Sequence, residues 1–450
     1  MSKLPIFKEN DVKSFKFTID QYVNLEIEFN RYFIYKEMIK NIENIFKLND
    51  NSVEFSNRKI YENKNIIDRF ILECINHGIS PKLNLIIPSP QHNSNTQSNT
   101  QGKTQCDNYV FPDVMDNDLE YIEQLSTNLF FNKCLNNVEE LRKCVYFRKM
   151  LDEYNEKKIK LTNERVLRLE KVILDAQIKF IGMNKMLILN KNKPGYFNNI
   201  DCSIYVSGES NYLIKYKNYT KVINFFRYSR IIRNYDRPFP YDIIRMILRY
   251  AIFDTSNQQW SIGINLYEYI SNIFDISFEM FASPLNFNMN MFCSIFLDTD
   301  KIFGSVGSFY NLSLERLLNQ NIKGVFFNPP YLPILMNYTT KICINLLEKM
   351  ERENMDFTII SFLPNWADAD YIQLFLQSKY LVANKIIPKG DYILHEKDKG
   401  KLIKGTFELL VIMMNSKKKH WNDDKLATVN NNFQDIIKLM KKETYSNTSI

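Results

Sequence analysis

The sequence has few of the residues from which metal sites and disulfide frameworks are built. Among its 450 residues there are four histidines, far apart and never in an HExxH or other paired spacing: His77, His92, His395 and His420. The seven cysteines are scattered and never spaced as CxxC, a pattern typical of reduced thiols. They are Cys74, Cys106, Cys134, Cys144, Cys202, Cys293 and Cys343. We therefore expect no metal site, no zinc ribbon and no disulfide framework.

Long hydrophobic runs are also missing. No uninterrupted apolar run approaches the roughly 18 residues that span a bilayer, and the first residues lack the apolar core of a signal peptide. We therefore expect no membrane association and a nuclear or otherwise cytoplasmic protein. The net charge of +7 is compatible with a polyanionic partner but does not require one.

The composition nevertheless supports a large core. Hydrophobic residues make up 45% of the chain and charged residues 24%, as in an ordinary globular protein. This excludes a wholly disordered or collagen-like chain. The length predicts one large domain or two ordinary ones.

Five segments differ in their patterns. Apolar residues recur at helical spacing in residues 1–87 and again, with short β-rich pieces, in residues 109–239. Between them, residues 88–108 have almost no apolar content, which predicts a low-complexity disordered insertion. Residues 240–415 alternate helices with short apolar strands, which predicts an α/β fold with a parallel sheet. Residues 416–450 predict a solvated polar tail with at most one helix.

The sharpest local signal is the tetrapeptide Asn328, Pro329, Pro330 and Tyr331, directly after the apolar strand GVFF. Open α/β sheets place their sites at this carboxyl edge, and two prolines make the loop rigid. The side-chain oxygen of Asn328 and the carbonyl of Pro329 can each accept a hydrogen bond from the exocyclic amine of a nucleobase. Tyr331 would stack on the base. This arrangement predicts an in-line methyl transfer to the amine, which needs neither a metal nor a strong base.

Other interpretations of this loop stay open on the residues alone. A Pro-Pro pair also ends strands that have no catalytic role, and Tyr331 could simply pack in a core. The same tetrapeptide occurs in enzymes that methylate glutamine side chains or guanine, so it does not define the substrate.

Two upstream segments are candidates for binding an adenosyl cofactor. Residues 276–286 are typical of a strand that runs into a loop of small residues, where the backbone can approach a ligand closely, although they do not form GxGxxG. Residues 298–309 contain two acidic residues that could meet ribose hydroxyls, and glycines for a tight turn. A plain surface turn is the alternative for the second segment.

Taken in order, these motifs resemble those of one family, the cap-specific adenosine N6-methyltransferases related to the phosphorylated-CTD-interacting factor. The resemblance covers roughly residues 240–415 and rests on ASPLN, then CSxFxDTDxxFGSxGSF, then NPPY, then Pro364, Asn365 and Trp366. It implies a Rossmann-like methyltransferase domain that uses S-adenosylmethionine, preceded by a mainly helical domain. It also implies methylation of N6 of the 2′-O-methyladenosine next to the mRNA cap, in the nucleus, with capped mRNA and the RNA polymerase II machinery as partners.

The family's motifs can be carried over residue by residue. The catalytic loop is then Asn328, Pro329, Pro330 and Tyr331. The residues expected around the cofactor are Glu279, Phe281, Ala282, Ser283, Pro284, Asn286, Phe303, Gly304 and Ser305.

Basic and aromatic residues are the candidates for contacts with RNA, because phosphates attract the first and bases stack on the second. These candidates are Arg227, Arg230, Arg233, Arg249 and Trp366. For the arginines, a solvated helix face is the alternative. Arg245 and Arg249 share one face of a predicted helix and could instead pair with acids.

Three departures from the family's pattern are visible. Trp260, Trp366 and Trp421 do not form a paired-tryptophan module, so we expect the WW domain to be missing and recruitment to polymerase to take another route. Asn365 stands where relatives tend to carry an acidic residue. The first 200 residues have no convincing match.

Two alternatives to cap methylation remain open. One is an adenine-N6 methyltransferase that acts on internal RNA or on DNA. The other is a non-catalytic cap- or RNA-binding scaffold of the same fold, against which the intact NPPY loop speaks. Two structural predictions complete the set: residues 407–414 form a central strand, and residues 390–395 form a mobile surface loop.

Overall fold

The structure is a computed structural model that describes part of the chain. The described residues are 12–13, 19–47, 66, 138–143, 145–156, 161–190, 193, 202–207, 211–216, 219–224, 240–252, 260–309, 312, 314–331, 333–366, 369–396 and 401–446. The segment 88–108, predicted to be a disordered insertion, lies outside them.

The first half of the described chain combines helices with an antiparallel sheet. The helices are α1 (Ile19–Lys47), α2 (Val138–Lys143), α3 (Val145–Glu156), α4 (Asn163–Asn190) and α5 (Pro240–Tyr250). The sheet contains β1 (Val12–Lys13), β2 (Cys202–Ser207), β3 (Asn211–Tyr216) and β4 (Tyr219–Asn224), antiparallel in that order.

One apolar core joins helices α1, α3, α4 and α5. In α1, Ile34, Met38, Ile42 and Ile45 recur at the three- and four-residue spacing of one helix face, and all are buried. Phe46 near the end of α1 stacks on Tyr154 of α3 with ring centroids 4.8 Å apart. Helix α5 belongs to the same core, so the predicted domain boundary near residue 240 falls next to a helix that packs against α1.

The second half of the described chain alternates strands and helices. Its strands are β5 (Trp260–Ser261), β6 (Phe278–Glu279), β7 (Met291–Phe292), β8 (Gly324–Phe327), β9 (Thr358–Pro364), β10 (Leu381–Ile387), β11 (Ile393–Glu396), β12 (Lys401–Lys404) and β13 (Leu409–Asn415). Its helices are α6 (Ile264–Phe274), α7 (Leu297–Asp300), α8 (Leu314–Asn319), α9 (Pro333–Arg352), α10 (Asp370–Leu376) and α11 (Asp423–Ser446), with short 3₁₀ turns at Lys301–Phe303 and Lys418–His420.

Six of these strands form one sheet in the order β10-β13-β9-β8-β6-β7. Strands β7, β6, β8 and β9 are parallel, as predicted, whereas β13 is antiparallel to both neighbours. The chain reaches β13 through the β11–β12 hairpin and re-enters the sheet between β9 and β10 in the opposite direction. The result is a mixed α/β fold with a mainly parallel sheet, consistent with a methyltransferase-like fold.

The central strands are buried on both faces. All residues of β8, β9 and β13 are buried, which explains why their sequences are nearly continuous apolar runs. The prediction of a central strand at residues 407–414 is confirmed by β13.

Two predictions about the C-terminal part are corrected. Residues 416–450 were expected to be a solvated tail, but α11 buries Phe433, Ile436, Ile437 and Met440 in the core on one face of the sheet. Residues 390–395 were expected to be a mobile loop, but β11 begins at Ile393 and pairs with both β12 and β5. In both segments the many lysines suggested a solvated surface, although apolar residues also recur there at regular spacing.

The order of the strands locates a crevice. From β6 the chain passes to β7 on one side and later to β8 on the other side, so the direction of winding reverses at β6. Open α/β sheets bind ligands at such a switch point, outside the carboxyl ends of the strands. Among the described residues, no helix is long and apolar enough to cross a membrane.

Candidate active site

The NPPY loop begins where β8 ends, at the carboxyl edge of the parallel strands. Asn328 is half-buried and Pro329 is buried. The Tyr331 hydroxyl lies 3.2 Å from Asn328 Oδ1 and 3.4 Å from the carbonyl oxygen of Phe362 in the neighbouring β9. Burial raises the pKa of Tyr331, with smaller contributions from Tyr392 and Tyr371, so its hydroxyl stays a proton donor.

The ring of Tyr331 has a defined neighbour. It meets the ring of Phe407 edge to face, with centroids 5.5 Å apart and an interplanar angle of 87°. Phe407 in turn packs against Tyr392, whose hydroxyl donates to the Phe407 carbonyl at 2.8 Å. Tyr331 therefore contacts an aromatic wall, while its hydroxyl faces the Asn328 amide.

Glu279 occupies the end of β6, next to β8. Its side chain is buried, and Oε1 accepts a hydrogen bond from the backbone N–H of Asn288 at 3.0 Å. Phe281 follows and packs against Phe327, the residue before Asn328, with centroids 5.5 Å apart. The predicted cofactor segment thus touches the strand that carries the NPPY loop.

The small residues after β6 form a closed turn. Asn286 Oδ1 accepts from the backbone N–H of Ser283 at 2.7 Å, and the Ser283 hydroxyl lies 3.1 Å from the same oxygen. The Ser283 hydroxyl oxygen also accepts from the N–H of Leu285 at 3.1 Å. Pro284 is buried inside this turn, and Ala282 donates its N–H to the Cys293 carbonyl at 2.9 Å.

The second predicted cofactor segment lies beside β7. Ser305 forms a parallel bridge with Phe292, and its hydroxyl is 2.7 Å from the hydroxyl of Ser294. Gly304 has a φ of 97°, a conformation that favours glycine, and it ends the turn that buries Phe303. Backbone hydrogen bonds therefore place Phe303, Gly304 and Ser305 one strand away from Glu279.

Asp300 lies fully buried just before this turn. It accepts hydrogen bonds from the hydroxyls of Tyr250 at 2.6 Å and Thr299 at 2.9 Å. Burial raises the pKa of Asp300 to about 7. The hydrogen bonds from Tyr250, Ser294 and Thr299 act in the opposite direction and lower the pKa, but burial has the larger effect. With its oxygens engaged inside the protein, Asp300 does not face a ribose as the sequence suggested.

Asp298 is held by arginines. Arg249 is buried and donates to Asp298 at 2.9 Å and to Glu28 of α1, while Arg245 lies 3.3 Å from Asp298. Burial alone would raise the pKa of Glu28, but Arg249 and Arg31 hold it well below its usual range. Of the two interpretations for Arg249, pairing with acids is the one that the structure shows, and Arg249 does not present its guanidinium to RNA.

Asn365 and Trp366 directly follow β9. The Asn365 side chain donates to Glu408 Oε2 at 2.8 Å, and its backbone N–H donates to the Glu408 carbonyl at the same distance. Trp366 is half-buried and meets Tyr371 edge to face at 6.4 Å. Where relatives were expected to carry an acid, this chain places the carboxylate of Glu408, the residue directly before β13.

Sequence reasoning missed Phe407, Glu408 and Tyr392 as neighbours of this edge. A usable signal exists, because an antiparallel strand inserted among parallel ones starts at the edge where they end. The predicted RNA contacts Arg227, Arg230 and Arg233 lie outside the described residues. Within the described part of the chain, no group of three or more His, Cys, Asp or Glu side chains could hold a metal ion.

The described residues form a mixed α/β fold in which the NPPY loop and the small-residue turn follow neighbouring strands at one switch-point edge, and this fold is consistent with a methyltransferase-like fold. Comparison with known proteins agrees. A family model described as "Phosphorylated CTD interacting factor 1 WW domain" matches residues 221–397. The resemblance to that family is confirmed, and the chain is similar to it over these residues.

Curated relatives have been named for an activity. The chain is 31% identical over 125 residues to the mRNA (2'-O-methyladenosine-N(6)-)-methyltransferases of Mus musculus and Homo sapiens. The match covers 28% of this chain and 16% of each relative, so the chain spans about a sixth of the length of these relatives.

The family match overturns one expectation. We expected the WW domain to be missing, but the matching family model carries that domain in its description. The matched range includes Trp260 and Trp366, which are far apart in the sequence.

Proposed function

We propose that the protein is an S-adenosylmethionine-dependent methyltransferase with a Rossmann-like domain that methylates N6 of the cap-adjacent 2′-O-methyladenosine of capped mRNA. The observation that carries this proposal is the position of the NPPY loop. It leaves β8 at the switch-point edge directly after Phe327, whose ring packs against Phe281 of the predicted cofactor segment. The curated relatives of the chain are named for this activity.

The residues of the loop divide the work. Asn328 Oδ1 and the carbonyl of Pro329 accept the two N–H bonds of the adenine amine, which directs the nitrogen lone pair away from the ring. Tyr331 contacts the base, and the half-buried ring of Phe407 beside it limits water at the amine. The loop aligns a weak nucleophile and desolvates it, and alignment of this kind supplies much of the rate enhancement.

The residues at the edge fit S-adenosylmethionine. The Glu279 carboxylate is an acceptor suited to hydroxyl groups, and Ala282 and Ser283 keep side-chain bulk away from the turn. The positive φ of Gly304 lets the backbone fold tightly beside β7. When bound, this cofactor supplies an electrophilic methyl group.

Three further assignments belong to the same proposal. Residues 240–415 form the methyltransferase domain, behind a mainly helical region in residues 1–87 and 109–239. Capped mRNA and the RNA polymerase II machinery are the partners, the second supported by the description of the matching family. The protein acts in the nucleus.

Methyl transfer from labelled S-adenosylmethionine to capped RNA that begins with 2′-O-methyladenosine tests the proposal, beside the same RNA without a cap. We expect label in the capped strand alone. Equal label in both strands would replace cap methylation by methylation of internal adenosines, and cofactor binding without transfer would favour a non-catalytic scaffold.

A further inference from the structure

The hydroxyl of Tyr331 has no part in stacking, yet it lies 3.2 Å from the amide oxygen of Asn328. We propose that Tyr331 is a positioning residue whose hydroxyl holds the Asn328 side chain with its oxygen, and not its NH₂ group, turned to the adenine amine. This inference rests on the proposed function and deepens it at the same site.

The orientation of the amide decides whether the loop can work. The oxygen and the NH₂ group of an asparagine side chain occupy nearly the same space, but only the oxygen accepts hydrogen bonds. An amine also presents N–H groups, so a flipped amide would place donors against donors. A hydrogen bond from a neighbouring hydroxyl removes this ambiguity, because it stabilises the oxygen on one side.

Tyr331 is suited to give that hydrogen bond. Its ring is held edge-on by Phe407, which restricts where the hydroxyl can reach. Burial raises its pKa, so the proton remains on the oxygen at neutral pH. The Asn328 oxygen has two lone pairs, and one hydrogen bond from Tyr331 leaves the second for the amine.

A second acceptor competes for the same proton. The carbonyl oxygen of Phe362 lies 3.4 Å from the Tyr331 hydroxyl, compared with 3.2 Å for Asn328 Oδ1. Donation to Phe362 would leave the Asn328 amide free to turn, and the hydroxyl would then serve only to pack the loop against β9. Removing the hydroxyl with and without the Asn328 amide distinguishes donation to Asn328 from donation to Phe362.

Tyr331→Phe keeps the ring and removes the hydroxyl. On capped RNA that begins with 2′-O-methyladenosine, we expect kcat to fall about three- to tenfold, as for one lost hydrogen bond. KM for the RNA and the affinity for S-adenosylmethionine should stay within about twofold. The matched control is Tyr380→Phe, because the Tyr380 hydroxyl donates to Glu351 at 2.7 Å next to the far end of β13. This control should turn over at the wild-type rate.

A double-mutant cycle distinguishes orientation of the Asn328 amide from simple packing of the loop, because only orientation makes the effect of Tyr331→Phe on kcat depend on residue 328. Asn328→Asp places acceptor oxygens on both sides of the group, so no orientation has to be chosen. In that background we expect Tyr331→Phe to lower kcat by less than about twofold. An equal loss in both backgrounds, or a Tyr331→Phe enzyme at the wild-type kcat, would overturn the inference and leave the proposed function standing. A wild-type chain that transfers no methyl group would overturn both.

Discussion

Two polar clusters near the switch-point edge make an instructive comparison. Between α1, α5 and α7, the buried Arg249 bonds both to the buried Glu28 and to the half-buried Asp298. At the end of β8, Asn328 is half-buried and its described side-chain hydrogen bond comes from a single hydroxyl, that of Tyr331. Charged groups that pair with each other inside the protein stabilise the packing of helices. An amide oxygen at the carboxyl edge of a sheet that can still accept a hydrogen bond is able to bind a substrate.

The comparison predicts the largest effect at Asn328. Asn328→Ala removes an acceptor that the transition state needs, so turnover on capped RNA should fall more than about 100-fold. Binding of S-adenosylmethionine, measured by calorimetry, should change little because Asn328 does not support the fold. Asn319→Ala, an exposed asparagine at the end of α8, is the matched control. Near-normal turnover of Asn328→Ala would contradict the assigned role.

The ion cluster should respond in stability rather than in chemistry. Arg249→Met leaves Glu28 buried without its main partner, and we expect the free energy of unfolding to fall by about 3–5 kcal/mol. Urea denaturation measures this loss, and the affinity for RNA of the remaining folded protein should be unchanged. Weaker RNA binding at unchanged stability would show that Arg249 contacts RNA, and it would contradict the structural role assigned to this cluster.

A smaller effect should appear in the pH dependence of stability. The carboxyl of Asp300 holds its proton up to a pKa of about 7 in the folded protein, but in the unfolded chain it loses the proton near 3.8. The folded state therefore binds more protons between these values, and stability from this group falls as pH rises through that window. Asp300→Asn has no proton to lose, so its stability relative to wild type should increase by on the order of 3 kcal/mol from pH 4.5 to 7.5.

Glu28 and Asp298 affect the stability in a different pH range. The pKa of Glu28 and that of Asp298 are lowered in the folded state by Arg249, so their contribution is lost only as pH falls below about 4. Denaturation curves at several pH values distinguish the two directions. Parallel pH profiles for wild type and Asp300→Asn would contradict the assignment of the slope to Asp300.

The sequence predicts the parallel strands and the NPPY loop well because these features depend on local order. GVFF and FTIISFLP are continuous apolar runs, which need burial on both faces, and Asn-Pro-Pro can only follow such a strand as a loop. The Arg249 pair with Glu28 joins residues 221 positions apart, and no local pattern reports such a contact. For the same reason the partnership of Asn365 with Glu408 was invisible, although both ends lie in predicted elements.

The most direct test of the central claim identifies the modified nucleoside. Capped RNA beginning with 2′-O-methyladenosine is incubated with wild-type protein and labelled S-adenosylmethionine, digested to nucleosides and separated, with Asn328→Ala in parallel. The account predicts label in N6,2′-O-dimethyladenosine for the wild type and none for the variant. Label in another nucleoside, or equal label with Asn328→Ala, would contradict it.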